Sequence, residues 1–168
     1  GQRLIGQQRY VDHDGDGVHD PVDAAKDPAD ITAAYVVSGE TVLDGANRDG
    51  SSVVVMTTNN HIEGVTVRGA GRAVESQDVF GDLRYLVLIE ADGASVSNTL
   101  IERGYHGLGF GPGATTGSFG AVVENNVIRD TGEGFVAYGI KDGVDLEMAL
   151  TFNTNRIAGG LFTGEEGS

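Results

Sequence analysis

At 168 residues, 39% of them hydrophobic, the chain is the size of one domain and long enough to bury a core. Its formal net charge of −14, from 25 acidic against 11 basic residues, leaves no basic stripe to release counterions from phosphates; nucleic acid is excluded as a partner and cations are expected. The lack of cysteine excludes disulfides, thiolate chemistry and cysteine-ligated zinc, and no apolar run approaches the roughly 20 residues that span a bilayer.

Residues 1 to 10 are mixed and without period, whereas the next twelve are ordered by charge. Asp12-His13-Asp14-Gly15-Asp16-Gly17-Val18-His19-Asp20-Pro21-Val22-Asp23 places carboxylates at loop positions 1, 3, 5, 9 and 12, with glycine at position 6. Calcium takes six to eight hard oxygen ligands, and this spacing offers them: the side chains of Asp12, Asp14 and Asp16, the carbonyl of Val18, Asp20 directly or through water, and Asp23. Gly17 permits the sharp turn that wraps the chain around an ion. The plainer alternative is a solvated acidic turn, with His13 and His19 pointing to solvent. The segment resembles the calcium loops of thrombospondin type 3 repeats, dockerins and other EF-hand-like bacterial modules. Asp23 in place of the usual glutamate, and Pro21 where an exiting helix would begin, fit the thrombospondin-like form better than a sensor EF-hand. Asp27-Pro28-Ala29-Asp30 reads as a linker, so residues 1–30 are expected to form an N-terminal segment carrying Ca2+. The chain starts at Gly1 without a methionine, and a processed or excised segment is expected.

From Ile31 onward the texture changes to short β-branched runs, Tyr35-Val36-Val37, Thr41-Val42-Leu43 and Val53-Val54-Val55-Met56, punctuated by glycine; these read as strands and turns. A repeat follows. Ile62-Glu63-Gly64-Val65-Thr66-Val67, Val96-Ser97-Asn98-Thr99-Leu100-Ile101, Val123-Glu124-Asn125-Asn126-Val127-Ile128 and Phe152-Asn153-Thr154-Asn155-Arg156-Ile157 align with start points 34, 27 and 29 residues apart. Each copy is a strand, a tight polar turn and a further strand. The second strands are Leu108-Gly109-Phe110, Phe135-Val136-Ala137-Tyr138 and their weaker counterparts Ala73-Val74 and Leu161-Phe162. Third strands are expected between repeats, at Tyr85 to Ile89 and Leu146 to Leu150. Asn98, Asn125 and Asn126 occupy turns, where asparagines stack and satisfy backbone groups. Gly107 to Gly113 has GxG spacing but no following helix or lysine, and reads as a strand end and loop, not a phosphate loop.

The repeat, with the phrase Thr41-Val42-Leu43-Asp44-Gly45 before it, resembles the right-handed parallel β-helix proteins of the pectate-lyase-like superfamily over residues 31 to 162. The resemblance implies an all-β solenoid over 31–168, three short parallel sheets around a narrow apolar core, preceded by the calcium loop. The last copy is followed closely by a polar tail, and the solenoid is expected to be incomplete at its C-terminal end. The superfamily includes pectate lyases, polygalacturonases, alginate lyases, tailspikes, adhesins and repeat proteins without activity, so the fold does not select a function.

Lyases of this kind need a base and a cation beside the substrate carboxylate, whereas hydrolases need two carboxyl groups flanking the bond. Glu102, Arg103 and His106, then Arg129, Asp130 and Glu133, then Lys141, Asp142 and Asp145 follow the repeat strands, with Glu102 and Arg129 expected on neighbouring rungs roughly 4.8 Å apart. Tyr138-Gly139-Ile140-Lys141-Asp142 resembles the strand carrying the lysine of alginate-lyase-like β-helices, which implies a base role for Lys141. The alternative is a ladder of opposite charges that pair across strands. His61 and His106 stand alone in sequence and read as turn or surface residues. No acid and base pair with recognisable spacing emerges. The expected function is therefore an extracellular or cell-surface calcium-binding protein with a passive role, binding an acidic polysaccharide or associating head to tail into fibres. A polysaccharide lyase or epimerase acting on an acidic glycan is the alternative.

Overall fold

Short β-branched runs broken every few residues by Gly, Asn and Asp cannot propagate a helix, and each run can bury alternate side chains only by pairing with another strand. The computed structural model describes residues 1–6, 9–10, 36–38, 41–48, 52–70, 85–110, 118–137, 140–141, 144–145 and 147–160. Among them the fold is all-β, built on parallel sheets, with no helix. No helix of the described residues is long and apolar enough to cross a membrane.

One sheet has five parallel strands in the order β1 (Arg3–Ile5), β6 (His61–Glu63), β9 (Ala94–Ser97), β11 (Ser118–Glu124) and β15 (Glu147–Asn153). A second, seven-stranded sheet runs β4 (Val42–Arg48), β7 (Thr66–Ala70), β10 (Leu100–Phe110), β12 (Val127–Ala137) and β16 (Arg156–Gly160), with β8 (Tyr85–Ile89) and β5 (Val54–Met56) branching from β10. The branch arises because β10 bends. Its residues 100–102 pair with β7, whereas residues 106–110 pair with β8, and β12 follows β10 through both limbs. The bend lies at Arg103 and Asp130, neighbours in the two strands, whose φ values of 60° and 51° put them in the left-handed region. The sheet curls about this line.

The sequence repeat is the hydrogen-bonded register. Ile62, Val96, Val123 and Phe152 are adjacent in the five-stranded sheet, and Val67, Ile101, Ile128 and Ile157 are adjacent in the curled one. Leu4 and Leu43 extend these two columns by one strand each, a further copy that the repeat alignment does not contain. Both columns point inward: Val67, Val96, Ile101, Val123 and Ile128 are fully buried, and Leu86, Ile89, Leu108 and Phe110 of the other limb meet them in one core. Burying each such side chain contributes about 1.5–3 kcal/mol, so these columns hold the short ladders together.

Between the two sheets the chain turns at Gly64, Asn98, Asn125 and Thr154, the third position of each repeat copy, all with φ between 48° and 64°. Asparagine and glycine tolerate this conformation best, which is why they recur there. The following position faces inward. Asn126 is fully buried; its Nδ2 donates to the carbonyl of Val96 at 2.9 Å and to Oδ1 of Asn155 at 2.8 Å, and its Oδ1 accepts the Thr99 N–H at 2.9 Å. Asn155 repeats the pattern, donating to the carbonyl of Val123 at 2.7 Å. The stacked turn asparagines thus satisfy backbone groups that the corner leaves unpaired.

Tyr85–Ile89 is a strand, as expected, but it takes the second-strand place beside Leu108–Phe110 and not a third place of its own, and the strand expected to end at Leu150 continues through Phe152 to Asn153. The cause is that β10 and β12 pass the bend without a break, so two sheet segments occupy one continuous strand. Arg3–Ile5 pairs with His61–Glu63 and Gly6 N–H donates to the carbonyl of Glu63 at 2.8 Å, so the N-terminal segment supplies the first strand of the five-stranded sheet. Strand β2 (Arg9–Tyr10) then pairs antiparallel with β3 (Val36–Ser38), forming a stem. Strands β13 (Ile140–Lys141) and β14 (Val144–Asp145) form a second antiparallel pair.

Candidate functional site

Asp12, Asp14, Asp16, Val18, Asp20 and Asp23 lie outside the described residues. The structure does place the chain on either side of them: the β2–β3 stem brings residues 10 and 36 together, and Thr41 then accepts the Thr66 N–H at 2.8 Å as the chain enters β4. The donor set of the acidic segment, five carboxylates and a carbonyl, has the hard-oxygen chemistry calcium requires.

Glu102 and Arg129 meet as register neighbours. Arg129 donates through Nε at 2.8 Å and Nη2 at 2.6 Å to Oε2 of Glu102, and the two side chains are 12% and 5% exposed, respectively. Arg103 Nε lies 3.8 Å from the other Glu102 oxygen. The column continues outward to Arg68, which pairs with Asp44 at 3.0 Å. Asp44 is held below the usual carboxylate range, first by the Ala46 N–H that its Oδ1 accepts at 2.7 Å and then by the Arg68 hydrogen bond. Asp44, Arg68, Glu102 and Arg129 form a ladder of alternating charge, each group neutralised by its neighbour. Glu102 and Arg129, the candidates for attacking a glycan, are engaged with one another away from solvent. Lys141 sits in the β13–β14 pair, opposite Val144.

His106 joins neither group. It stacks on Tyr85, with ring centroids 4.9 Å apart and 28° between planes, and its Nε2 lies 3.2 Å from Glu133, its register neighbour in β12. The glycines around it admit these rings. A Cβ on Gly109 would come within 2.4 Å of the buried Tyr85 ring, so Gly107 to Phe110 is packed strand, as the sequence reading has it, and residues 111–117 lie outside the described chain.

The five-stranded sheet carries a group that the sequence reading left as an isolated histidine. Ile62 and Val96 face the core, so His61, Glu63 and Ser95 project from the other face. His61 and Ser95 are register partners, and His61 Nδ1 is hydrogen-bonded to Ser95 Oγ. His61 Nε2 lies 3.1 Å from Glu63 Oε2, two residues along the same strand. The tautomer protonated at Nε2 satisfies both contacts: it donates to the carboxylate and leaves Nδ1 to accept the serine hydroxyl. The His61 side chain is 21% exposed and that of Glu63 37%. Arg3 is the register neighbour of His61 on its other side, and Val122, 38% exposed, is that of Ser95. A cavity of about 510 Å3, lined by residues including Arg3, Asn60 and His61 with Leu4, Met56 and Ile62, opens beside the histidine. The signal was present in the repeat: the 34-residue offset that aligns Ile62 with Val96 also aligns His61 with Ser95.

Comparison with protein-family models, with curated proteins and with solved structures finds no match. The functional reading therefore rests on the geometry of this chain.

Proposed function

We propose that the chain is a right-handed parallel β-helix that holds calcium in an excursion from its first coil. In this reading it binds an acidic polysaccharide at or outside the cell surface without cleaving the glycan backbone. The solenoid reading is supported by parallel register in every long strand pair and by left-handed corner residues at one position of successive copies; right-handedness follows the general preference of parallel crossover connections. The calcium reading rests on the ligand spacing of Asp12, Asp14, Asp16, Val18, Asp20 and Asp23 and on a stem that draws the ends of that segment together. One observation carries the passive role. Glu102 and Arg129, two of the three residues that the sequence offers as candidates for lyase chemistry, neutralise each other in a site 5% and 12% exposed.

Affinity electrophoresis in gels containing pectate or alginate, with calcium and with chelator, tests the binding: calcium-dependent retardation is expected, without unsaturated products absorbing in the ultraviolet. Product formation that Glu102→Gln or Lys141→Ala abolishes would replace this reading by the lyase. Terbium luminescence, lost in an Asp14→Ala/Asp16→Ala variant, tests the metal site.

Head-to-tail association is the second reading. Its support is that the inward columns end in exposed apolar side chains, Leu4 at 40% on one side and Phe152 at 39% and Ile157 at 49% on the other. Edge strands with uncovered apolar neighbours are templates for another chain. Light scattering that reports a monomer at every calcium concentration would remove it.

A further inference from the structure

We propose that Ser95, His61 and Glu63 form a hydrolytic site for short-chain acyl esters, Ser95 acting as nucleophile, His61 as general base and then acid, and Glu63 as the group that orients the imidazole. Nucleophile, base and orienter need to be hydrogen-bonded in series, and here they are. The parallel register enforces the series: His61 and Ser95 are paired across β6 and β9, and Glu63 shares the face of His61 because side chains two apart on a strand point the same way. A serine and a histidine on a solvated sheet face need no such alignment for stability. Surface polar pairs of this kind contribute little.

In the reaction the Ser95 hydroxyl proton passes to Nδ1 of His61 as Oγ adds to the ester carbonyl carbon. The tetrahedral intermediate collapses with cleavage of the ester C–O bond, and the leaving alkoxide takes the proton from His61. Water, deprotonated by His61, then adds to the acyl-Ser95 ester. Collapse returns the proton to Oγ and releases the carboxylic acid, so the cycle consumes one water and needs no other reactant. Glu63 keeps Nε2 protonated and facing away, which holds Nδ1 as the basic nitrogen throughout. Arg3, on the far side of His61, supplies positive charge to that end of the site.

The surroundings set the substrate class. On this face Ser95 has the single side chain of Val122 as its apolar register neighbour, enough for an acetyl group and too little for a long acyl chain. The alcohol side falls toward the cavity of about 510 Å3 beside His61, within the size range of small-molecule sites, where Arg3 and Asn60 offer polar groups. A hydroxyl-rich alcohol fits those groups, and the site is assigned to O-acetylated sugars; that choice of alcohol rests on the glycan-binding reading, whereas the acyl-transfer step does not.

Two measurements on the full chain separate them. Diisopropyl fluorophosphate followed by peptide mass spectrometry is expected to add its phosphoryl group at Ser95, at least 10-fold more slowly in His61→Ala and not at all in Ser95→Ala. p-Nitrophenyl acetate hydrolysis should fall 10²- to 10⁴-fold in the same variants, the usual range for loss of a positioned acid–base group. Glu63→Gln should lower kcat and shift its pH profile, and Ser97→Ala, on the neighbouring row, should leave both readouts unchanged. Melting temperatures like that of the parent protein show that the variants fold. Labelling of the parent elsewhere, or at Ser95 at the same rate in His61→Ala, overturns the proposal. Acetate release from acetylated xylan or pectin is expected as well; its absence with ester hydrolysis intact overturns the sugar-ester assignment alone, and glycan retardation in the gel is read independently of both.

Discussion

The column Asp44–Arg68–Glu102–Arg129 and the row Arg3–His61–Ser95 are built by the same device, parallel strands in register, and end in opposite chemical conditions. In the first, each group meets an opposite charge of comparable reach, so every charge is spent on a neighbour, and Glu102 is 5% exposed. In the second, the histidine meets a hydroxyl too short to neutralise anything and a carboxylate two residues along its own strand, so a base stays poised beside a nucleophile at the surface. A rung of a parallel sheet becomes structural or reactive according to whether its neighbours cancel.

The sharpest way to break this contrast is Glu102→Ala. The substitution removes the carboxylate that accepts two hydrogen bonds from Arg129 in a site 5% and 12% exposed, with an expected cost of about 3–5 kcal/mol, read as a lowered midpoint in urea denaturation. The double replacement Glu102→Leu/Arg129→Met should recover much of that loss, because neither charge remains; if it is as unstable as the single variant, the pair is more than a mutual neutralisation. Asn126→Ala comes next, at about 2–4 kcal/mol, since it removes the side-chain partners of the Thr99 N–H and the Val96 carbonyl, groups that cost about 1–3 kcal/mol each when buried unpaired, while the Asn155 amide keeps the N–H of residue 126 and the Val123 carbonyl. Gly109→Ala forces a Cβ against the fully buried Tyr85 ring and should cost about 1–3 kcal/mol by overpacking. Its effect tests whether the Tyr85–His106 stack is rigid: a cost near zero would mean that the ring moves aside.

The smallest effect belongs to the exposed end of the charged column. The Asp44 carboxyl is held below its ordinary range in the folded state, so its contribution is present above about pH 4, the unfolded value, and is lost as pH falls through the lower folded value. Asp44→Asn should be slightly less stable than the parent protein at neutral pH, and the difference should vanish in strong acid. A difference that grows toward low pH would contradict the assigned partners, Ala46 N–H and Arg68.

The register itself was legible in the sequence. Spacing alone aligned Val96 with Val123 and Ile101 with Ile128, and these residues are hydrogen-bonded neighbours, because an inward apolar column must recur once per pass of the chain. The corner asparagines were legible for the same reason: few residues accept positive φ. The bend within β10 and β12 was not, since Arg103 and Asp130 adopt the left-handed conformation without being the residues that advertise it. The strand Arg3–Ile5 was missed because the distance in sequence from Ile5 to the next strands breaks the period that identifies the other copies.

For the site, the sequence placed the charges and left their pairing open. Glu102 beside Arg129 followed from the repeat, but whether the two faced a substrate or each other depended on side-chain reach and burial, which only the packed sheets decide. His61 looked solitary because its nucleophile lies 34 residues away and its carboxylate two, distances that mean nothing until strands are laid side by side. Composition, period and turn chemistry are local or cyclic properties and were written in the chain: acidic, cysteine-free, parallel, with left-handed corners. Which polar groups cancel and which remain available is a property of neighbours across strands, and tertiary structure alone brings those neighbours together.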